Sequence, residues 1–179
     1  LSKTGLGSLQ LSGQNTYAGS TIIREGSLVI SGALSDSTAV TVEAAGTYEL
    51  GADDTVGSIA GSGAISLGSS TLTAGGANGS TEFAGIVSGT GGLTKQGAGT
   101  LALSGLNTYT GKTSINGGTL FVNGSLGDLT DVVIGEASQY ELGADDTVGS
   151  IAGEGLIVLN AYQLTAGGAL DTTFSGVMS

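Results

Sequence analysis

The sequence predicts an all-β chain folded as a parallel β-helix of about nine coils. Three observations predict it: a nearly exact internal duplication, a shorter strand period nested inside it, and a composition that suits a thin repetitive core. The chain has 179 residues, with 35 glycines, no proline, cysteine, tryptophan or histidine, and only three phenylalanines. A compact globule fills its interior with some bulky aromatics, whereas a quasi-one-dimensional fold repeats a narrow aliphatic core. Glycine at this density argues against helix, where each one costs about 1 kcal/mol relative to alanine. The lack of proline removes collagen-like and polyproline readings.

The duplication is explicit. Tyr48 to Gly61 reads YELGADDTVGSIAG, and Tyr140 to Gly153 reads the same fourteen letters, 92 residues later. The same offset aligns Leu1 with Leu93, Lys3 with Lys95, Asn15-Thr16-Tyr17 with Asn107-Thr108-Tyr109, and Leu72 with Leu164. One deletion near Asp171 then brings Phe83 onto Phe174. Residues 1–92 and 93–179 are therefore expected to be two repeat units of one continuous solenoid.

Within each unit a period of 19 recurs. Ser8-Leu9-Gln10-Leu11-Ser12-Gly13 returns as Ser27-Leu28-Val29-Ile30-Ser31-Gly32, and Thr100-Leu101-Ala102-Leu103-Ser104-Gly105 as Thr119-Leu120-Phe121-Val122-Asn123-Gly124. Alternation of apolar with small or polar residues marks a strand with one buried face. Further short strands are expected at Ala39–Glu43, Thr47–Leu50, Ala64–Leu67, Ser70–Ala74 and Glu82–Val87, with Gly, Ser, Asn and Asp turns between them. Nineteen residues hold two or three such strands with their turns, so one period is one coil and one unit holds about five. Stacked at about 4.8 Å, nine coils make a rod of about 40–45 Å.

Charge narrows the partners. Fifteen acidic residues against four basic ones give a formal net charge of -11, which repels nucleic-acid phosphates and anionic lipid surfaces. No nucleic-acid partner and no direct membrane insertion are expected, since no apolar run approaches the roughly 18 residues of a membrane span. No signal peptide opens the chain, and it reads as an excised or processed piece of a longer protein. No cofactor motif is present: Walker, Rossmann and zinc patterns are all missing.

Leu93 to Gly124 reads LTKQGAGTLALSGLNTYTGKTSINGGTLFVNG, and Leu1 to Gly32 reads LSKTGLGSLQLSGQNTYAGSTIIREGSLVISG. Both resemble the passenger-associated repeat of autotransporter proteins. The features shared are a Leu-x-Lys-x-Gly-x-Gly opening, a Leu-x-Leu-Ser-Gly strand, an Asn-Thr-Tyr-x-Gly-x-Thr turn and a following Gly-x-Leu strand. The resemblance implies a right-handed parallel β-helix displayed on, or released from, the surface of a Gram-negative bacterium after passage through an outer-membrane barrel. It also implies service in adhesion, aggregation or biofilm formation. The partners expected are the chain itself, by lateral or end-to-end association, or host and bacterial surface receptors.

Serine nucleophiles lack a histidine base. The pairs Asp53-Asp54 and Asp145-Asp146 are the calcium candidates, against a reading in which they sit in a turn and cap backbone amides. Lys3 and Lys95 are expected to lay their alkyl stems on the strand face while the charge reaches water. Glu49 and Glu141 should point outward if Tyr48, Leu50, Tyr140 and Leu142 point inward. Asn15-Thr16-Tyr17 and Asn107-Thr108-Tyr109 offer either aromatics for glycan stacking or a corner in which the asparagine bonds the backbone and the tyrosine covers the next coil. The sequence reads as a non-enzymatic stalk or adhesive rod. A polysaccharide-degrading carboxylate cluster and a calcium-stabilised binding module stand as alternatives.

Overall fold

The computed structural model describes all residues 1–179 and contains strands, turns and bends but no helix. Every strand pairing is parallel. The chain winds as a parallel β-solenoid whose coils present three faces in turn.

The first face begins with β1 (Ser2–Lys3) and continues, one coil at a time, through the leading halves of β3 (Thr21–Ile30) and β4 (Ala39–Leu50) to β6 (Ser58–Gly61), β9 (Thr81–Phe83) and β12 (Thr100–Leu103). It ends through β14 (Gly118–Val122), β16 (Ser138–Leu142), β19 (Leu156–Val158) and β21 (Val177–Met178). The second face holds β2 (Ser8–Leu11), the trailing halves of β3 and β4, β7 (Ala64–Ser66) and β10 (Ile86–Ser88). It resumes, after two coils of less regular backbone, with β17 (Asp146–Val148) and β20 (Leu164–Ala166). The third face stacks β5 (Asp54–Val56), β8 (Leu72–Ala74), β11 (Leu93–Lys95), β13 (Thr113–Ile115), β15 (Asp131–Ile134) and β18 (Ser150–Gly153).

Alternation within each strand decides which side chains are enclosed. In β15 the burial runs half-buried, buried, half-buried, buried, so Val132 and Ile134 point in while Asp131 and Val133 line the outside. Thirty buried apolar residues form one core along the whole rod. Because coil follows coil in register, this core is built of ladders: Ile23, Val42, Gly61, Phe83, Leu103, Val122 and Leu142 occupy one inward position on successive coils of the first face. Each rung buries its aliphatic surface against the next, at about 25 cal/mol per Å².

Two expected strand boundaries are corrected. Ala39–Glu43 and Thr47–Leu50 are one twelve-residue strand, β4, that bends around a corner at the exposed pair Ala44-Ala45 without losing its pairing. A shift of register between Ile23 and Glu25 absorbs the extra residue, as a β-bulge does. Conversely Glu82–Val87 divides into β9 and β10, because Ala84-Gly85 turns the corner there. At Gly85 a side chain would collide with the Gly63 carbonyl of the coil beneath.

The two units form one stack, since β8 of the first pairs with β11 of the second and β9 pairs with β12. They are also rotated relative to each other. β1 lies on the first face and its counterpart β11 on the third; β2 lies on the second face and its counterpart β12 on the first; β5 lies on the third and its counterpart β17 on the second. Ninety-two residues thus advance the chain by four coils and two of the three faces.

Candidate functional surface

The fourteen-residue identity builds a buried corner. In each unit the tyrosine at its start points inward from the second or first face, and the second aspartate of the Asp-Asp pair points inward six residues later. Tyr48 donates its hydroxyl to Asp54, and Tyr140 donates to Asp146. The remaining carboxylate oxygen of Asp54 accepts from the amides of Leu34 (3.0 Å) and Thr55 (3.1 Å). Asp146 accepts from Leu126 and Thr147 at 3.1 and 3.0 Å. Burial pushes both aspartates above the ordinary 3.8, against the hydrogen bonds, which act to lower them. Burial, and the adjoining carboxylate, raise Tyr48 and Tyr140 well beyond the usual phenol range.

The first aspartate of each pair faces the other way and ties down the following coil. Asp53 accepts from the Thr71 amide at 2.7 Å, and Asp145 from the Gln163 amide at 2.8 Å. The two carboxylates of a pair therefore hold different backbone amides, mostly of neighbouring coils, and no group of three or more Asp and Glu side chains converges anywhere in the chain. Of the outward glutamates, Glu49 is exposed and Glu141 half-buried, while Tyr48, Leu50, Tyr140 and Leu142 are enclosed.

Lysine is the point at which sequence reasoning is overturned. Lys95 is only 1 % exposed and occupies an inward rung between Ala74 and Ile115. Its ammonium does not reach water; it donates to the carbonyls of Gln96 (2.8 Å), Gly97 (2.8 Å) and Gly117 (3.0 Å). Lys3 repeats the arrangement with Thr4, Gly5 and Glu25. A cation satisfied by three carbonyl dipoles can close a corner, and burial holds Lys95 below the ordinary lysine range. The Gly that follows each lysine by two residues was the available clue, since it lets the carbonyls curl toward the ammonium: Gly5 and Gly97 have φ of 75° and 74°.

The Asn-Thr-Tyr segments form corners. Asn107 donates to the carbonyls of Gly105 (3.1 Å) and Ser125 (2.8 Å) and accepts from the Val87 amide at 3.0 Å, so it joins three coils. Tyr109 is fully buried with its hydroxyl 2.6 Å from Thr113. Tyr17 pairs likewise with Thr21 at 2.6 Å but stays half-buried on the end coil. The Tyr109 ring is enclosed and offers no face for stacking, while the Tyr17 ring is only partly covered. The hydroxyl partners, Thr21 and Thr113, are the closing threonines of the Asn-Thr-Tyr-x-Gly-x-Thr turn, four residues after each tyrosine.

Outside each of these corners lies a shallow cleft. One, of about 390 Å³, is lined by Gln14, Asn15, Thr16, Leu34, Asp36 and neighbouring serines. The other, of about 400 Å³, is lined by the equivalent Leu106, Asn107, Thr108, Leu126 and Asp128, with Leu129 at its rim. Three leucines, Leu106, Leu126 and Leu129, make the second less polar than the first, which has only Leu34, and the two open on different faces. The duplicated, open and rotated clefts are what a repeating solenoid produces.

Comparison with known proteins agrees with that class. The family described as the passenger-associated-transport-repeat matches residues 1–30 and 93–122, which are the opening coils of each unit. The chain is 36% identical over 192 aligned residues to the adhesin BmaC autotransporter of Brucella suis, an alignment covering 97% of this chain and 6% of that protein. It is 38% identical over 106 residues to the autotransporter lipoprotein NalP of Neisseria meningitidis, covering 51% of this chain and 10% of the relative. The chain thus spans a tenth or less of the length of these relatives. No solved structure matches it. The chain belongs to the autotransporter passenger domains.

Proposed function

We propose that this chain is a rigid, non-enzymatic segment of an exported passenger, standing outside the bacterial cell, where it holds adhesive surface away from the envelope and takes part in adhesion itself. The observation that carries the reading is the uninterrupted parallel stack across the unit junction, in which β8 meets β11 and β9 meets β12 without a change of register. A solenoid whose core ladders continue through the junction resists bending there, as a chain of linked globules does not. Similarity to an autotransporter named as an adhesin supports the adhesive role. The net charge of -11 favours a surface that stays soluble at high local density.

Beads coated with the 179-residue chain test it, against albumin-coated beads, on epithelial monolayers and on bacterial lawns. Retention well above albumin on one of these surfaces is expected. Retention equal to albumin on both removes the adhesive role, and a small-angle scattering profile of a sphere rather than a rod overturns the stalk.

A further inference from the structure

The duplication is a control built into the molecule: where the second unit departs from the first, it carries residues that the coil itself does not require. Four such departures fall on one cleft. Val29, Ser31, Gly68 and Ser70 of the first unit are Phe121, Asn123, Asn160 and Tyr162 in the second. With Glu141 and Gly143 these four line a cleft of about 400 Å³ on the flank of the rod. Six of the eight aromatic residues lie in the core or pack against it, and Phe121 and Tyr162 are the two that do not. Phe121 points outward because its strand neighbours Leu120 and Val122 point in.

The polar groups of the cleft are held in place yet keep bonding capacity. Asn160 donates to the Leu142 carbonyl at 2.8 Å and to one Glu141 oxygen at 3.4 Å, while Gln139 donates to the other at 3.0 Å. The Asn160 oxygen and both ends of the Asn123 amide bond no protein group. Asn160 sits at φ 53°, where Gly68 of the first unit sits at 56°. A side chain in that region costs strain, so the second unit accepts strain to place an amide here.

The cleft faces sideways, along coils that are already stacked. Asn160 reaches back to Leu142 and Glu141, and Tyr162 shares the cleft with Phe121, two coils before it. In the first unit Gly89 and Gly91 stack directly on the Gly68 and Ser70 backbone, and Gly68 and Ser69 are exposed all the same. The flank at this turn stays open under a further coil.

We propose that this cleft binds an uncharged saccharide, which, on the adhesive reading above, is a target of that adhesion. A hexose ring has an apolar face of C–H groups and a rim of hydroxyls. Two aromatic rings beside a few convergent polar groups match both features: Phe121 and Tyr162 take the C–H face, Asn123 and Asn160 give and receive hydrogen bonds, and Glu141 accepts from a hydroxyl. Sialic, uronic and sulfated sugars are disfavoured by Glu141 and by the net charge of -11.

Saturation-transfer NMR of the 179-residue chain with lactose, maltotetraose and diacetylchitobiose, and with a hyaluronan tetrasaccharide as the acidic arm, reads the binding. At least one neutral sugar should receive saturation on the C–H protons of one ring face, with millimolar affinity, and the acidic one should receive none. The double variant Phe121→Val, Tyr162→Ser restores the residues that the first unit carries and folds with. It should melt close to the parent and bind at least roughly tenfold more weakly, and Asn160→Gly should weaken binding in the same direction. No transfer to any neutral sugar at tens of millimolar, undiminished binding by the double variant, or preference for the acidic sugar would each overturn the site. Bead adhesion by a parent chain that binds none of these sugars leaves the adhesive reading standing, and sugar binding without bead adhesion removes that reading while leaving the cleft.

Discussion

Tyr140 donates its hydroxyl to Asp146 inside the coil corner, and Tyr48 donates to Asp54 in the same way one unit earlier and one face round. The pair is the point where a buried carboxylate, a buried phenol and the amides of two coils meet. Tyr48→Phe removes one donor and leaves a carboxylate oxygen unsatisfied in the interior, at a cost of about 1–3 kcal/mol. Asp54→Ala also strips the Leu34 and Thr55 amides of their acceptor and should cost more. Urea unfolding of the two single variants and the double variant checks this, and a coupling energy near zero would contradict the arrangement.

Acidity should stabilise the rod. Both corner aspartates are raised above 3.8 in the folded chain, chiefly by burial. A carboxyl raised on folding binds more protons in the native than in the unfolded state, so its contribution is fully present below about 3.8 and fades as pH climbs through the higher folded value. Lowering the pH from neutral toward 4 should therefore raise the melting temperature. Relief of overall negative charge acts in the same direction, so the aspartate share is the part of the slope lost in the Asp54→Asn, Asp146→Asn double variant.

Lys95 stabilises by filling a nest of three carbonyls. Lys95→Met keeps the stem but leaves those oxygens without their donor, and should lower the unfolding free energy by about 1–3 kcal/mol. Lys3→Met, on the end coil, should lower it less, because fraying at the end already exposes its carbonyls to water. Equal losses at the two sites in urea titrations would count against a nest whose strength comes from enclosure.

Chelation should leave the chain as it was. Asp53, Asp54, Asp145 and Asp146 are each engaged by backbone amides, and an aspartate that holds an amide has less to offer a cation. Melting curves recorded in EDTA and in millimolar calcium should superimpose. A rise of several degrees with calcium would restore the metal-binding reading of these pairs.

Much of the architecture was legible in the residues. The nineteen-residue spacing from Ser8 to Ser27 is a real coil step, with Leu9 stacked on Leu28 and Leu11 on Ile30. The Asn-Thr-Tyr corner, with its asparagine bonded to backbone, was legible because a short amide side chain beside glycine has few other partners. The continuity of β4 through its middle was not, since Glu43-Ala44-Ala45 breaks the alternation that marks a strand while the pairing with β3 resumes after a one-residue shift. The lysines were misread because a long charged side chain on a strand ordinarily reaches solvent, and only the curled carbonyls of a neighbouring coil make an interior site for it.

What the sequence determined by itself is the repeat: which residues are equivalent, how long a coil is, and which side chains alternate inward, all of them local properties of strands and turns. What only the tertiary structure decided is where equivalent residues end up in space. A unit of 92 residues does not fill a whole number of coils, so Lys3 and Lys95 lie on different faces although their neighbours in the chain are alike. The phase of a solenoid accumulates from every corner and bulge along it, and that sum exists only once the coils are stacked.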